Sequence, residues 1–337
     1  MNILSFESSC DETAVAIVRD GRQVVASTVI SQIDIHKVYG GVVPEIASRY
    51  HIEKISQLTE ECIRQSGLSE DEIDAVAVTA APGLIGALLV GLNFAKGYAY
   101  ARNLPLIPVH HIRAHVAANY LAYPELKPPF LAMIVSGGHS HIVLVKNYTE
   151  YQILGRTKDD AAGEAFDKGA RVLGLPYPGG VHMDKLAKEG NPKAIQFPKV
   201  RFKEDPYDFS FSGVKTAIVN YVHNARQKGE EPNLADVAAS YSEAVTGILA
   251  ENFLRCAKDY DQKTLVIAGG VSANSMLREK LLAGKDDDQQ LFMPPLSLCG
   301  DNGAMVGAQA YYEFKAGKTA GLDLNALSAY SIEKQLC

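Results

Sequence analysis

The chain has 337 residues, 47% of them hydrophobic, with 33 Lys and Arg against 39 Asp and Glu. That is length for roughly two domains of about 150 residues with a sizeable core, which excludes a disordered or repeat protein. A net charge of −6 excludes a global pull toward polyanions, and five dispersed cysteines without a CxxC pair exclude a disulfide or zinc-finger framework and suit a reducing compartment.

In chain order, the start lacks the basic and apolar regions of a signal peptide, so a cytoplasmic protein is expected. Residues 3–6 and 13–18 read as short apolar strands joined by the polar turn 7–12, with further β-signal at 24–30. A helical pattern covers 51–65. Residues 75–95 carry no charge and approach the length of a membrane span, but Pro82-Gly83 divides them into a buried strand, 75–80, and a helix, 84–100. No membrane partner is therefore expected. Another helix covers 110–120. Residues 130–135 and 141–145 repeat the opening plan, two apolar strands around the polar turn 136–140. That recurrence predicts a duplicated α/β chain with halves 1–109 and 110–337, each offering a turn to a shared cleft, with a chain return between the halves near the end left open. Helices follow at 161–173 and 237–257. Between them, 177–206 is rich in Pro, Gly and Lys and reads as an insertion over the cleft. A strand at 264–268 runs into Gly269-Gly270 and a helix from Ser275, and a last helix covers 304–314.

Several constellations carry chemistry. His111 and His115 are four apart, which on a helix puts both imidazoles on one face at a spacing suited to one metal ion; paired core histidines also have this spacing. Asp301 precedes the last helix, placed to cap it or to ligate a metal. Two histidines and a carboxylate favour Fe(II), and zinc accepts the same set. A metalloprotease would need Glu where Ile112 stands. Three small polar turns, 8–12, 136–140 and 269–274, are candidate phosphate cradles, or plain hairpins; the P-loop motif is absent. Asp160, Glu164 and Asp167 line one helix face beside Lys168, either as a solvated stripe or as acceptors for ribose. Phe209-Ser210-Phe211-Ser212 reads as an edge strand leading into a helix capped by Ser212. The 84–100 helix has more apolar residues than one buried stripe uses, so a surplus face is expected to dock on another subunit, Leu88 and Leu92 being the probes. Lys193, Lys199, Arg201, Lys203, Lys215, Arg226 and Lys228 form the one candidate basic patch.

Together, Glu7-Ser-Ser-Cys-Asp-Glu-Thr13, Tyr39-Gly-Gly-Val-Val-Pro-Glu45, Pro82-Gly-Leu84, His111-x-x-x-His115, Ser136-Gly-Gly-His139, Asp159-Asp-Ala-Ala-Gly-Glu-Ala-Phe-Asp167, Tyr177-Pro-Gly-Gly180, Phe209-Ser-Phe-Ser-Gly213, Gly269-Gly-Val-Ser-Ala-Asn274 and Asp301-Asn302 resemble the TsaD family, across nearly the whole chain. Ser8, Ser140 and Ala81 depart from the family pattern, the first two keeping a hydroxyl. The resemblance implies an actin-like, Hsp70-like (ASKHA) fold of two ribonuclease-H-type halves around a nucleotide. It implies transfer of a threonylcarbamoyl group from threonylcarbamoyl-AMP to the exocyclic amine of the adenosine 3′ of the anticodon, in tRNAs reading codons that begin with A. It further implies one divalent metal on His111, His115 and Asp301, iron first and zinc or magnesium as alternatives. Ile134, Val135, Ser136, Gly137 and Gly138 would hold the phosphate and acyl part, and Asp167, Gly180, Asp184 and Asn274 the adenosine side, where ATP and AMP would also bind. A paralogue without the metal site, TsaB, and the ATPase TsaE are the implied partners. Asp11 or Glu12 is expected as the base, with His139 the third catalytic candidate. A sugar or acetate kinase of the same fold is the principal alternative function, and a metalloprotease the other.

Overall fold

The computed structural model describes residues 1–337. Its strands, in chain order, are β1 (Asn2–Glu7), β2 (Glu12–Arg19), β3 (Gln23–Ser31), β4 (Ala75–Ala81), β5 (Leu106–His110), β6 (Phe130–Val135), β7 (Ser140–Asn147), β8 (Glu150–Arg156), β9 (Thr264–Ala268) and β10 (Gln290–Phe292). The helices are α1 (Ile33–His36), α2 (Pro44–Ser66), α3 (Ile85–Arg102), α4 (His111–Ala122), α5 (Ala162–Val172), α6 (Gly179–Ala187), α7 (Ser212–Gln227), α8 (Leu234–Asp259), α9 (Ser275–Gly284) and α10 (Gly303–Lys315). No helix is long and apolar enough to cross a membrane.

The strands form two five-stranded sheets of one plan, β3-β2-β1-β4-β5 and β8-β7-β6-β9-β10. In the first, β1 pairs antiparallel with β2 and parallel with β4, and β4 pairs parallel with β5. In the second, β9 lies parallel to both β6 and β10. The duplication expected from the repeated strand-turn-strand pattern is thus present at the level of strand order. Parallel strands at the sheet centre need both faces covered, and β1 and β4 are buried at nearly every position, mostly through apolar residues, rather than in alternation.

The chain divides into two compact units, Met1–Pro129 with Val145–Gln152 and Pro294–Cys337, and Phe130–Leu144 with Ile153–Met293. The division thus differs from 109/110. The reason is α4, whose Ala114 and Ala118 pack with Met305, Val306 and Ala310 of α10 on one face of the first sheet, so that α4 stays with unit 1. The other face of that sheet, Leu4, Phe6, Val76 and Val78, is covered by Ile55 and Leu58 of α2 and Leu88 and Leu92 of α3. Leu88 and Leu92 are therefore core residues at 0% exposure, unsuited to probe a docking face; the exposed large apolar residues of α3 are Ile85 and Tyr100, at 48% and 74%.

Unit 2 packs α5 to α9 against β6, with Met133, Phe166, Met183, Tyr241 and Phe253 all buried. The 177–206 segment is part of this core rather than an insertion over it. Its helix α6 buries Gly179, Met183 and Ala187, and Phe197 is 7% exposed. Pro178 and Gly179 start this helix, while Gly190, Pro192, Pro198 and Pro206 lie in the irregular stretch that follows it.

Candidate metal centre and backbone turn

Unit 1 gathers its polar residues where the parallel strands β1, β4 and β5 end, the usual place for a site in such sheets. β1 ends on Glu7, β4 passes through Thr79, and β5 ends on His110, from which α4 starts with His111. Glu7 is 1% exposed, and a buried carboxylate must be satisfied. Its Oε1 accepts the Ser9 N–H at 2.6 Å, and its Oε2 accepts the Thr79 hydroxyl at 2.7 Å and faces His111 Nδ1 at 3.0 Å. The Ser9 Oγ lies 3.2 Å from the same nitrogen. With Nδ1 committed to Glu7, the His111 Nε2 is the nitrogen left for a ligand.

One turn along α4, His115 is 1% exposed and its ring lies 4.7 Å from that of His111, nearly perpendicular. Asp301 completes the group, its Oδ1 3.7 Å from His111 Nε2 and 3.1 Å from His115 Nε2. Although close, the His115 Nε2 has no aligned hydrogen bond, and neither does its Nδ1. Three ligand atoms within 4.8 Å of one another, two of them on buried imidazoles, fit a common point better than they fit one another. The residues present suit one divalent metal. Asp301 is available because Asn302, not Asp301, caps α10 by accepting the Met305 N–H at 2.9 Å.

Charge explains the remaining titrations. Burial works against the His111 imidazolium, but the Asp301 and Glu7 carboxylates outweigh it and hold its pKa up at about 9 when no metal is present. Burial and then Asp301 and Asp11 push the Glu12 carboxyl up to about 9, and burial with Asp11 and Asp301 pushes the Cys10 thiol up. The turn 8–12 therefore sits in a negative field and differs from the phosphate cradle expected there; phosphate would approach only with a cation between.

Unit 2 carries the other two candidate turns, and only one keeps its backbone open. At 269–274, the Ser275 and Leu277 donors at the start of α9 are already taken: Asn274 Oδ1 accepts the Leu277 N–H and Asp184 Oδ1 accepts the Ser275 N–H and hydroxyl, each at 2.9 Å. Asn274 and Asp184 thus act first as caps. At 136–140, the Ser136 N–H donates to the His139 carbonyl at 2.8 Å, which closes a tight turn. Its floor is the start of α5, where Gly163 N–H donates to the Ser136 carbonyl and Ala162 N–H to Ser140 Oγ. A Cβ on Gly163 would meet the Ser136 oxygen at 2.6 Å, so this close approach needs glycine. Above it, Gly137 and Gly138 are exposed with open space beyond each. Ile134 and Val135 lie buried at the end of β6. His139 is half-buried and stacks on His141 at 5.9 Å.

The acidic stripe is mostly structural. Asp160 pairs with Lys168 and Lys215, Glu164 with Lys168, and Asp167 Oδ1 accepts the Gly179 N–H at 2.7 Å; Gly180 beside it is open. The start of α7 is held by Asp159, which accepts from Ser210 Oγ at 2.5 Å and Phe211 N at 2.8 Å, in place of the expected Ser212 cap. Phe209 and Phe211 are both at 0% exposure. Of the basic patch, Lys199 and Arg201 are spent on Glu251, and Lys215 on Asp160.

A duplicated five-stranded α/β fold, here with a two-histidine, one-carboxylate cluster that suits one divalent metal, defines a protein of the ASKHA fold class. The same architecture occurs in HypF from T. kodakarensis, with a TM-score of 0.65 at 15% identity over 94% of this chain and 48% of that one. It occurs too in component A of the (R)-2-hydroxyglutaryl-CoA dehydratase of Acidaminococcus fermentans, with a TM-score of 0.55 at 15% identity over 94% and 100%. Sequence is more specific. The family model TsaD, tRNA N6-adenosine threonylcarbamoyltransferase, matches residues 23–308. Enzymes of that name from Clostridium botulinum (strain 657 / Type Ba4) and Moorella thermoacetica (strain ATCC 39073 / JCM 9320) are 51% and 54% identical to this chain, each over 97% of it and 96% of the relative. The chain belongs to the TsaD family: it is an acyltransferase that modifies adenosine in tRNA.

Proposed function

We propose that the chain moves the threonylcarbamoyl group of threonylcarbamoyl-AMP onto the exocyclic amine of the adenosine 3′ of the anticodon, in tRNAs reading ANN codons. The observation that carries this reading is the buried cluster of His111, His115 and Asp301, backed by Glu7 and open to a further ligand. The amine nitrogen attacks the carbamoyl carbon, the bond from that carbon to the phosphate oxygen breaks, and AMP leaves with the electron pair. An adenine amine is a weak nucleophile, so positioning and charge stabilisation must supply most of the rate. A divalent metal on the three ligands, Fe(II) first and zinc or magnesium as alternatives, would supply positive charge to the departing phosphate.

Asp11 is the base we favour for the proton lost by nitrogen. Glu12, hydrogen-bonded to Asp11 and pushed up by burial and by the Asp301 and Asp11 carboxylates when no metal is present, is its neighbour in the turn. In unit 2, Ser136, Gly137 and Gly138, at the end of Ile134 and Val135, are assigned the phosphate and acyl oxygens through their open backbone, with His139 donating beside them. Asp167, Gly180, Asp184 and Asn274 are assigned the adenosine side. This assignment is supported by the Asn274 and Asp167 side chains being half committed to caps, and hence rigid.

TsaB and TsaE are the proposed partners, with a cytoplasmic location. The apolar groove of about 400 Å³ on α2 and α3, lined by Ile52, Ile55, Leu89, Val90 and Phe94, supports docking of TsaB, and Ile52 is 65% exposed. The pairing of Lys199, Arg201 and Lys215 with carboxylates weakens the basic patch and supports the need for help in holding tRNA. The test is modification of tRNA by the chain with TsaB, TsaE and threonylcarbamoyl-AMP, read as threonylcarbamoyladenosine by mass spectrometry of nucleosides. Ile52→Glu should fold, fail to co-purify with TsaB and lose activity. Phosphorylation of a sugar or acetate in place of tRNA modification would return the kinase reading.

A further inference from the structure

We propose that Arg113 is a positioning residue for the metal centre, and that the segment 330–335 belongs to the centre by holding it. The inference rests on the metal reading given above and goes beyond it.

Arg113 lies between the two histidines in sequence, about 200° round the helix from His111, and so on the opposite side of α4 from the shared ligand face. It is 2% exposed, unusual for an arginine, and every one of its donors is used. Nε donates to the Ile332 carbonyl at 2.9 Å, and Nη2 to the Ile332 and Lys334 carbonyls at 2.6 and 2.9 Å. Nη1 donates to Glu313 Oε1 and Gln335 Oε1, each at 3.1 Å. The guanidinium also lies 4.9 Å from the centre of the Tyr151 ring. Next door, His110 Nε2 is 3.2 Å from the Tyr330 carbonyl, a second tie from the same segment to the start of α4.

Glu313 gives this network its consequence. It is 4% exposed and sits on α10, the helix whose first residues follow Asp301. The Arg113–Glu313 pair thus joins the helix carrying two ligands to the helix that places the third. Where the imidazoles point depends on rotation of α4 about its own axis. The Asp301 side of α4 holds the ligands and the Arg113 side holds a five-bond anchor, so that rotation is fixed from behind. A residue wanted only for packing would not require a fork saturated by two main-chain carbonyls and two side-chain oxygens.

The experiment is titration of the purified full-length chain with Co²⁺, read as visible absorption, beside thermal unfolding of the metal-free chain. Wild type should bind one Co²⁺ and His115→Ala none; wild type failing to bind would remove the metal reading itself, and this inference with it. Arg113→Met should keep wild-type helicity, lose about tenfold or more in Co²⁺ affinity and shift the absorption bands. Arg113→Lys, which keeps the charge toward Glu313 but not the fork, should recover part of the affinity. Deletion of 331–337 should shift the bands in the same direction, and it decides the matter if Arg113→Met does not fold. Folded variants with wild-type Co²⁺ affinity and spectrum would overturn the inference, leaving Arg113 a stabilising residue alone.

Discussion

The two units share a strand order and use it for opposite chemistry. At the ends of β1, β4 and β5, unit 1 presents charged side chains, Glu7, His111, His115 and Asp301, nearly all buried and tied to one another. At the end of β6, unit 2 presents main chain, the exposed Gly137-Gly138 turn, while at the end of β9 Asn274 and Asp184 are spent on caps. A cation needs side-chain donors, because the backbone offers no imidazole or carboxylate. A phosphate is best met by N–H groups and needs glycine so that nothing stands in front of them. One sheet plan thus ends in side-chain groups in one unit and in open main chain in the other, the difference resting on the residues into which each strand runs.

The comparison breaks most severely at the ligands. His115→Ala should reduce tRNA modification by more than about a hundredfold, with circular dichroism unchanged, since a supporting residue alone costs up to that much. A folded, fully active variant would show that the side-chain end of the pair is dispensable. Glu7→Gln should lower metal affinity by about ten- to a hundredfold by weakening the hold on His111 Nδ1 while leaving all three ligands in place.

The complementary change in unit 2 is Gly163→Ala, whose Cβ would press on the Ser136 oxygen and the Gly137 Cα at 2.6 and 2.7 Å. We expect the turn to shift and the KM for threonylcarbamoyl-AMP to rise about tenfold, roughly 1.4 kcal/mol, with Co²⁺ affinity unchanged. An effect on both would deny the division of labour.

Acid should separate the units too. His36 and His51 of unit 1 are both at 0% exposure, and burial lowers the pKa of each below the ordinary 6.5, Asp11 opposing at His36 and the Cys10 carbonyl at His51. The unfolded chain then binds these protons first, so the stability that these two histidines contribute is full above pH 6.5 and is lost as pH drops through that value toward the folded pKa. Amide exchange around 32–51 should quicken between pH 6.5 and 5 while that of the 136–140 turn does not, and His51→Gln should flatten the difference. Smallest of all, Asn274→Ala should cost about 1 kcal/mol of stability through the lost α9 cap, besides weakening nucleotide binding, as measured by denaturant melts and by titration with AMP.

Much of the site is legible in the sequence, for reasons that can be named. The four-residue spacing of His111 and His115 is local, and Asp301 is marked by standing just before a helix, so the ligand set is readable without the fold. Glu7 is not: a single carboxylate at a strand end reads as a turn residue until Thr79 and His111, far along the chain, come beside it. Arg113 looks like any exposed arginine for the same reason. β5 is hidden by Pro108, which an edge strand tolerates because one side of it has no ladder to complete, and β10 by its three-residue length. The turn at 269–274 misleads because strand, glycine and helix do aim N–H groups outward. Nothing local reveals that Asp184 has already taken them.

Unit 1 is closed by Pro294–Cys337, residues that come after all of unit 2. During synthesis His111 and His115 leave the ribosome about 190 residues before Asp301, an interval of roughly 10 to 40 s at ordinary elongation rates. For that time a nascent chain offers a cation two imidazoles and no carboxylate, and the helix bearing them lacks both Glu313 and the segment that pins Arg113. Firm capture of a divalent ion by this cluster would therefore wait until Asp301 and Glu313 have been made, and a chain cut before Asp301 should bind Co²⁺ no better than His111 and His115 alone allow.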